Sequence, residues 1–325
     1  MGEIFGGRYE LVEPIADGGM GSVWRVVDHR DGSTKAAKLL RQRDAASLLR
    51  FIREQATRIH HPHVVTPLGW VGEDDSVLFT MPLVRGGSVA TLIGDFGALP
   101  EQWVAVLLEQ TLAGLDAVHA TGVVHRDVKP ANLLLEPTGR ERPHARLTDF
   151  GIAVAAGEPR LTRGMVALGT PGYLAPEQEQ GADPDPRQDL YAVGITGLHM
   201  LTGAGPPHAP SDLPDTDLVR VLLEAADPDP ERRPSTAAAL IERLRATVGA
   251  EPWDPGEVEV LDQLDLGTTP PPTPPPSAED AGPTTPALPT AERARPDIVR
   301  PSPLAPALLV LGGVLLLVAA AILLL

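Results

Sequence analysis

The 325-residue sequence contains no cysteine. This absence excludes disulfides, thiolate zinc sites and a cysteine nucleophile, and it fits a folded region in the cytosol. Basic residues are also scarce: 27 lysines and arginines stand against 43 aspartates and glutamates, for a net charge of −16. Because nucleic-acid binding depends on positive charge facing phosphates, this balance argues against a nucleic-acid partner. Residues 1–6 lack the apolar core of a signal peptide and the Ser or Thr at position six that myristoylation prefers.

Proline is abundant but unevenly placed, because fourteen of the 35 prolines fall between Pro255 and Pro306. The same stretch is rich in Thr, Ser and Ala and poor in aromatic residues. Such a composition is typical of a disordered spacer that is partly polyproline II. We therefore predict a folded region that ends near Thr247, followed by a Pro-rich disordered linker over residues 248–303.

Residues 304–325 contain no charged side chain and almost no polar one. An apolar stretch of about 20 residues can cross the hydrocarbon core of a bilayer as a helix. Arg293, Arg295 and Arg300 lie just before it, which favours a cytoplasmic location for its N-terminal side. We predict one C-terminal transmembrane helix that anchors the folded region to the cytoplasmic face of the cell membrane. No sequence follows the helix, so no extracellular domain is expected.

A short polar cluster between two apolar runs occupies residues 124–133. This pattern predicts a tight loop held between two buried segments. The loop carries Asp127 as a candidate base, Lys129 as a cation and Asn132 as an amide able to bind a metal ion. Phosphoryl transfer needs such groups to orient the attacking hydroxyl, offset the charge on the phosphoryl oxygens and hold Mg²⁺.

Further motifs follow in a fixed order along the chain. The polar loop matches H-R-D-x-x-x-x-N, and residues 149–151 (Asp-Phe-Gly) and 175–177 (Ala-Pro-Glu) come after it. Before it, residues 16–23 approximate G-x-G-x-x-G-x-V and residues 35–38 approximate V-A-I-K. Together these motifs resemble the Hanks-type (eukaryotic-like) bacterial Ser/Thr protein kinases over about residues 8–247.

The resemblance implies an α+β, bilobal protein-kinase fold, with a β-rich N-lobe over residues 8–84 and a mainly helical C-lobe over residues 85–247. It implies a non-specific serine/threonine protein kinase that binds ATP in the cleft between the lobes, with Mg²⁺ or Mn²⁺. Its partners would be protein substrates with Ser or Thr, including a second copy of the chain, phosphorylated in trans within a homodimer.

The resemblance also implies catalytic roles. Asp127 would orient the substrate hydroxyl and accept its proton, and Lys129 would steady the transferring phosphoryl group. Lys38, fixed by Glu54, would position the phosphates of ATP. Lys35 is a rival for this role, but the apolar residues that flank Lys38 favour Lys38 as the inward-facing lysine.

The implied nucleotide site combines a glycine-rich turn, a strand, the segment between the lobes and part of the catalytic loop. Its residues are Ala16, Asp17, Gly18, Gly19, Gly21, Val23, Ala36, Lys38, Met81, Pro82, Val84, Asn132, Leu134 and Asp149, of which Asn132 and Asp149 would hold the metal ion. Taken alone, the glycine turn predicts only a hairpin. Ala16 replaces a family glycine but adds only a methyl group, so ATP binding is expected to persist.

Three residues are implied in regulation. Thr170 resembles the threonine that bridges the catalytic aspartate and lysine of Ser/Thr kinases. A phosphate on Thr162 could pair with Arg126 and order the activation segment.

Two structural anchors are also implied. Asp189 resembles the aspartate that holds the backbone of the catalytic loop, and Arg233 resembles the arginine that pairs with Glu177.

An alternative remains open: a membrane-anchored pseudokinase scaffold that binds nucleotide without transferring phosphate. It is favoured by Ala16 and by the short segment between Gly203 and the helix predicted over residues 216–226. Members of the family usually carry an additional helix there, so the resemblance does not predict how substrates dock.

Overall fold

The computed structural model describes residues 3–18, 21–41, 59–73, 76–149, 154–155, 170–208, 213–247 and 252–264. All of them belong to one compact unit, Met1–Gly267. The predictions on Gly19, Glu54, Thr162, the linker beyond residue 264 and the apolar segment 304–325 fall outside the described residues. Within the described ranges, no helix combines the length and apolar character needed to cross a bilayer.

The N-terminal part is an antiparallel sheet with the strand order β1-β2-β3-β4-β6-β5. Its strands are β1 (Ile4–Phe5), β2 (Tyr9–Gly18), β3 (Gly21–Asp28), β4 (Thr34–Arg41), β5 (Gly69–Glu73) and β6 (Ser76–Met81). Tyr9, Val26 and Leu78 are buried together on one face of the sheet. Since side chains alternate between the faces of a strand, Ala37 of β4 joins this cluster and its neighbour Lys38 points to the other face.

The C-terminal part is mainly helical. Its helices are α1 (Val89–Phe96), α2 (Glu101–His119), α3 (Pro176–Glu179), α4 (Pro186–Thr202), α5 (Asp217–Ala225) and α6 (Ala237–Thr247). Two short antiparallel pairs join them, β7 (Val123–Val124) with β10 (Val154–Ala155) and β8 (Leu133–Leu135) with β9 (Ala145–Leu147). A sheet-rich N-terminal part and a helical C-terminal part fit the predicted bilobal fold.

Local sequence explains where the central helices begin and end. Helix α2 is amphipathic, and Trp103, Leu107 and Leu115 of its apolar stripe are buried. Helix α4 starts after Asp185, whose carboxylate accepts a hydrogen bond from the N–H of Arg187 at 2.8 Å. It ends at Gly203 in the left-handed conformation. These two helices pack together in the core and present their ends to the catalytic loop.

The folded part extends past the predicted boundary near Thr247. Residues 252–264 pack on the C-terminal part, and Val258 and Val260 are buried in its core. The predicted start of a disordered linker at residue 248 is therefore too early. The prediction was based on the overall composition of a long proline-rich stretch. Such a composition does not reveal the few apolar side chains in it that pack in the core.

Candidate active site

The polar loop that contains Asp127, Lys129 and Asn132, here named the catalytic loop, lies between β7 and β8. The apolar runs on either side of it predicted this position. Asp189 of helix α4 accepts the backbone N–H of His125 at 2.9 Å and that of Arg126 at 2.7 Å. His119, at the end of α2, contacts the same carboxylate through Nε2 at 2.7 Å. Arg126 adopts a φ of 68°, a conformation that non-glycine residues rarely take. The predicted anchoring role of Asp189 is confirmed by these contacts.

Burial and hydrogen bonding set the charges beneath this loop. Burial alone would raise the pKa of Asp189, but the hydrogen bond and charge of His119 outweigh it with help from His125 and Arg126, and the pKa is lowered. Burial lowers the pKa of His125, so its imidazole is neutral. Its Nε2 donates to the carbonyl of Thr148 at 3.0 Å, which leaves Nδ1 to accept the N–H of Asp127 at 3.3 Å. A neutral histidine and a buried carboxylate therefore lie side by side beneath the loop.

Asp127, Lys129 and Thr170 meet at the opening of the loop. The hydroxyl of Thr170 donates to Oδ1 of Asp127 at 2.9 Å, and Nζ of Lys129 donates to the Thr170 oxygen at 2.5 Å. The same Nζ lies 2.8 Å from Oδ2 of Asp127. Asn132 donates through Nδ2 to the carbonyl oxygen of Asp127 at 2.7 Å and to its Oδ2 at 2.8 Å. A carboxylate, an ammonium group and an amide are therefore locked in one orientation.

Asn132 and Asp149 are connected through the backbone. The N–H of Thr148 donates to the carbonyl of Asn132 at 2.9 Å, which places Asp149 one residue beyond this bond. Asp149 has a φ of 71°, and the nitrogen of the Asn132 side chain is occupied by Asp127, which leaves the amide oxygen as an acceptor. Mg²⁺ prefers oxygen ligands and takes only one or two from the protein when phosphates supply others. A carboxylate and an amide oxygen fit that requirement.

No group of three or more His, Asp or Glu side chains capable of holding a metal ion occurs among the described residues.

Five residues of the predicted nucleotide site lie on one face of the N-terminal sheet. Ala16 pairs with Val23, and Val23 pairs with Lys38 on the next strand. Ala36 pairs with Met81 two residues along the same face. Directly paired residues of neighbouring strands share a face, so these five side chains form one surface.

Lys38 and Lys35 lie on opposite faces of β4. The Lys38 side chain is buried, and its Nζ forms an ion pair with Oδ1 of Asp149 across the cleft. Lys35 contacts the fully buried carboxylate of Asp28 at 2.5 Å and Asp31 at 3.3 Å. The structure therefore places Lys38 in the cleft and Lys35 in a separate ion-pair cluster.

The segment that joins the two lobes runs beside β8. Val84 is buried, and the backbone N–H of Gly86 donates to the carbonyl of Leu135 at 2.7 Å. The N–H of Leu135 in turn donates to the carbonyl of Gly87 at 2.9 Å. Leu134 points away from the core that its neighbours fill, because side chains alternate along a strand. Backbone hydrogen bonds therefore hold the segment that follows Pro82 and Val84 against the strand that carries Leu134.

Side-chain contacts hold the segment after Thr170 against the catalytic loop and the C-terminal helices. Arg233, whose side chain is fully buried, donates two hydrogen bonds to Glu177 at 2.7 and 2.8 Å, which confirms the predicted pair. Gln178 donates to the carbonyl of Arg126 at 3.2 Å, a contact that no sequence signal indicated. Tyr173 bonds His199 of α4 at 2.6 Å, and this contact was also missed, because the two residues lie 26 positions apart without a motif between them.

Residues 9–247 match the family model described as Protein kinase domain. The chain is 35% identical over 314 residues to the serine/threonine-protein kinase PkaA of Streptomyces coelicolor, which covers 85% of this chain and 57% of that protein. It is 35% identical over 252 residues to PknA of Mycobacterium tuberculosis, covering 74% and 57%, and 36% identical over 268 residues to the DNA damage-responsive kinase RqkA of Deinococcus radiodurans, covering 74% and 39%. The chain thus spans 57% of the length of the first two relatives and 39% of the third. Because the family model covers most of the chain, it belongs to the protein kinase family.

Proposed function

We propose that this chain is an ATP-dependent, Hanks-type serine/threonine protein kinase that transfers the γ-phosphate of ATP to Ser or Thr hydroxyls of proteins. The observation that carries the proposal is the set of contacts joining Asp127, Lys129 and Thr170. A carboxylate held beside an ammonium group, at the mouth of a cleft, is suited to receive a hydroxyl proton and to offset charge on a phosphoryl group.

Each group of the network would have a distinct task. Asp127 would orient the substrate hydroxyl and accept its proton, since its position is set by Asn132 and Thr170. Lys129 would face the transferring phosphoryl oxygens, where positive charge is most effective in a site with little water. Lys38, on the opposite wall of the cleft, would hold the phosphates of ATP.

ATP and a divalent metal ion are the cofactors that the site fits. The adenine would lie between the sheet face that includes Val23 and Ala36 and the side chain of Leu134. Asn132 and Asp149 would hold Mg²⁺ or Mn²⁺, and a bound metal ion would neutralise part of the phosphate charge.

A pseudokinase scaffold is not favoured. A nucleotide-binding scaffold needs no base, yet Asp127, Lys129 and Asn132 are all present and mutually oriented. The curated relatives to which the chain is similar carry the names of serine/threonine kinases.

Regulation and location extend the proposal to residues outside the described ranges. Phosphate on Thr162, added in trans by a second copy of the chain, would pair with Arg126 and order the activation segment. Phosphosite mapping after incubation with ATP tests this step, and an active enzyme without phosphate on Thr162 would contradict it.

Residues 304–325 would hold the kinase on the cytoplasmic face of the membrane, which their uncharged, apolar composition supports. Fractionation of cells that express the full chain and a chain ending at residue 303 tests this proposal. Recovery of both chains in the soluble fraction would contradict it.

Phosphate transfer from labelled ATP by the full chain with Mg²⁺, beside an Asp127→Asn variant, tests the proposed activity. We expect label on Ser or Thr with the wild type. The variant should be slower by about 10²–10⁴-fold, because it loses the base, while ATP binding changes little. A wild-type chain that binds ATP and transfers no label would instead support the scaffold.

A further inference from the structure

Residues 252–264, here named the C-terminal strap, lie beyond the part of the chain that matches the kinase family model. They pass from the start of helix α2 to the segment that joins the two lobes. The side chain of Gln102 fixes the beginning of the strap from both sides, donating to the carbonyl of Pro252 at 3.0 Å and accepting the N–H of Asp254 at 2.8 Å. The strap therefore has a defined point of attachment on α2.

The first half of the strap is held by aromatic packing and hydrogen bonds. The ring of Trp253 lies 5.1 Å from that of Trp103, between centroids, and Trp103 donates through Nε1 to the carbonyl of Pro255 at 3.1 Å. Arg140 donates to the carbonyl of Gly256 at 2.5 Å, and its own carbonyl accepts the indole N–H of Trp253 at 3.2 Å. Buried aromatic side chains with bonded N–H groups are stable anchors.

The middle of the strap completes the core. Gly139 and Val260 exchange two backbone hydrogen bonds of 2.9 Å, as in an antiparallel sheet. Val258 and Val260 are buried at 4% and 1% exposure. For residues 252–260, the burial of apolar side chains is enough to explain why the strap packs on the C-terminal part.

The last part of the strap has a different character, because its side chains are exposed. Leu261 is 57% exposed, and Asp262 and Gln263 are exposed as well. Their contacts are nevertheless specific: the N–H of Gln263 donates to the carbonyl of Arg85 at 2.7 Å, and Asp262 pairs with the Arg85 guanidinium at 2.9 Å. Burial of apolar surface does not explain these contacts, since all three residues are exposed and both contacts to Arg85 are polar.

Arg85 is placed where such contacts affect the nucleotide site. It follows Val84, whose backbone would meet the adenine edge according to the resemblance to protein kinases, and precedes Gly86, which is bonded to β8. A side chain at Gly86 would come within 2.7 Å of Val260 and 2.5 Å of the carbonyl of Leu135, so the segment is enclosed between the strap and β8. The strap thus supports one side of the segment and β8 supports the other.

We propose that Asp262 and the backbone of Gln263 are positioning residues for ATP, which hold Arg85 and through it the adenine-binding backbone of Val84. This inference rests on the proposed function. The catalytic loop has its own supports in Asp189 and Thr170, so loss of the strap contacts should weaken nucleotide binding and leave turnover at saturating ATP unchanged.

The backbone contact is tested by Gln263→Pro in the full chain, because proline has no N–H to donate. Leu261→Pro is the matched control, since the N–H of Leu261 makes no hydrogen bond to any residue that the structure describes. We expect Gln263→Pro to raise the dissociation constant for ATP and the KM for ATP by about fivefold, the usual effect of one lost hydrogen bond. The value of kcat should stay within about twofold.

The ion pair is tested by exchanging its charges. Asp262→Arg should raise the KM for ATP by about two- to threefold, because two cations then face each other at a half-exposed site. The double variant that adds Arg85→Asp should restore the wild-type KM, and Glu257→Arg, a charge change elsewhere on the strap, should have no effect. Restoration by the second change would not follow from a general loss of stability.

Four outcomes would contradict the inference or the function on which it rests. An unchanged ATP affinity in Gln263→Pro, or equal losses in Gln263→Pro and Leu261→Pro, would overturn the inference. A fall in kcat that parallels a lower unfolding temperature, with KM unchanged, would reduce the strap to a structural element and also overturn it. Failure of the wild-type chain to bind ATP at all would instead contradict the proposed function.

Discussion

The two walls of the cleft are held in different ways. On the C-terminal wall, Asp127 is fixed by Asn132, Lys129 and Thr170, and the loop beneath it is fixed by the buried carboxylate of Asp189. The N-terminal wall presents a sheet face made mostly of small or apolar side chains. Among the described residues, its charged contact with the opposite wall is the ion pair of Lys38 with Asp149.

This difference separates the groups that would do chemistry from those that would hold the nucleotide. A base and a phosphoryl-stabilising cation are effective only when their positions are set before the reaction, and buried hydrogen bonds achieve that. Lys38 and Asp149 are instead paired with each other, so phosphates and a metal ion would have to replace that pairing. The C-terminal wall is therefore preorganised, and the N-terminal wall is completed by its ligand.

Apart from the Asp127→Asn variant, the largest effect should come from a change of Lys38, and Lys35 of the same strand is its matched control. Lys38→Met should lower kcat/KM for ATP by about 10²–10³-fold, because it removes the cation that faces the phosphates. Lys35→Met should leave kcat/KM within about twofold but lower the unfolding temperature, since the buried carboxylate of Asp28 loses a partner. Steady-state kinetics and thermal unfolding of both variants provide the measurement. Equal losses of activity would show that the two faces of β4 are not separate in function.

A second comparison uses two buried aspartates, one in each part of the molecule. Asp189→Asn places an amide where His119 and two backbone N–H groups need acceptors, so one donor would face another donor. We expect about 2–4 kcal/mol of lost stability, as for a broken buried polar network, and roughly tenfold slower turnover.

Asp28→Asn is the control for this experiment, because Asp28 accepts bonds from Arg8 and Lys35 at the far end of the sheet. It should lower the unfolding temperature without slowing turnover. If Asp189→Asn unfolds earlier and keeps full turnover in its folded fraction, the anchoring of the loop does not contribute to catalysis.

The smallest effect concerns pH. Burial lowers the pKa of His125 in the folded chain, whereas in the unfolded chain it titrates near 6.5. Below that pH the unfolded chain binds the extra proton, so the stability due to neutral His125 is present above pH 6.5 and declines as the pH falls. The loss at pH 5.5 is bounded at about 1.4 kcal/mol for one histidine, because this pH lies one unit below the unfolded pKa.

The measurement is the change in unfolding free energy between pH 7.5 and 5.5 for the wild type and for His125→Asn, whose amide retains one donor and one acceptor. His61, His63 and His199 also have lowered pKa values and lower the stability of both proteins in the same direction. The wild type should therefore lose more stability than the variant. An identical pH dependence would mean that the pKa of His125 is the same in the folded and the unfolded chain.

Local patterns were sufficient to predict much of the molecule. The alternation of strand β4 and the apolar stripe of helix α2 follow from the periods of 2 and 3.6 residues that burial imposes. The apolar runs on either side predicted a tight loop that carries Asp127 and Asn132, and in the structure the two side chains are joined by a hydrogen bond of 2.8 Å. The pairs of Asp189 with the loop and of Arg233 with Glu177 were predicted from family motifs, and both were confirmed.

The sequence by itself determined the family, the order of the elements and the residue types at the site, because each of these depends on local patterning or on a motif of a few residues. Only the tertiary structure decided that Lys38 meets Asp149 across 111 positions of chain and that Trp103 and Trp253 pack together across 150. It also decided that the strap ends on Arg85. Contacts between segments so far apart depend on the shape of the cavity that the other elements leave, and neither composition nor periodicity records that shape.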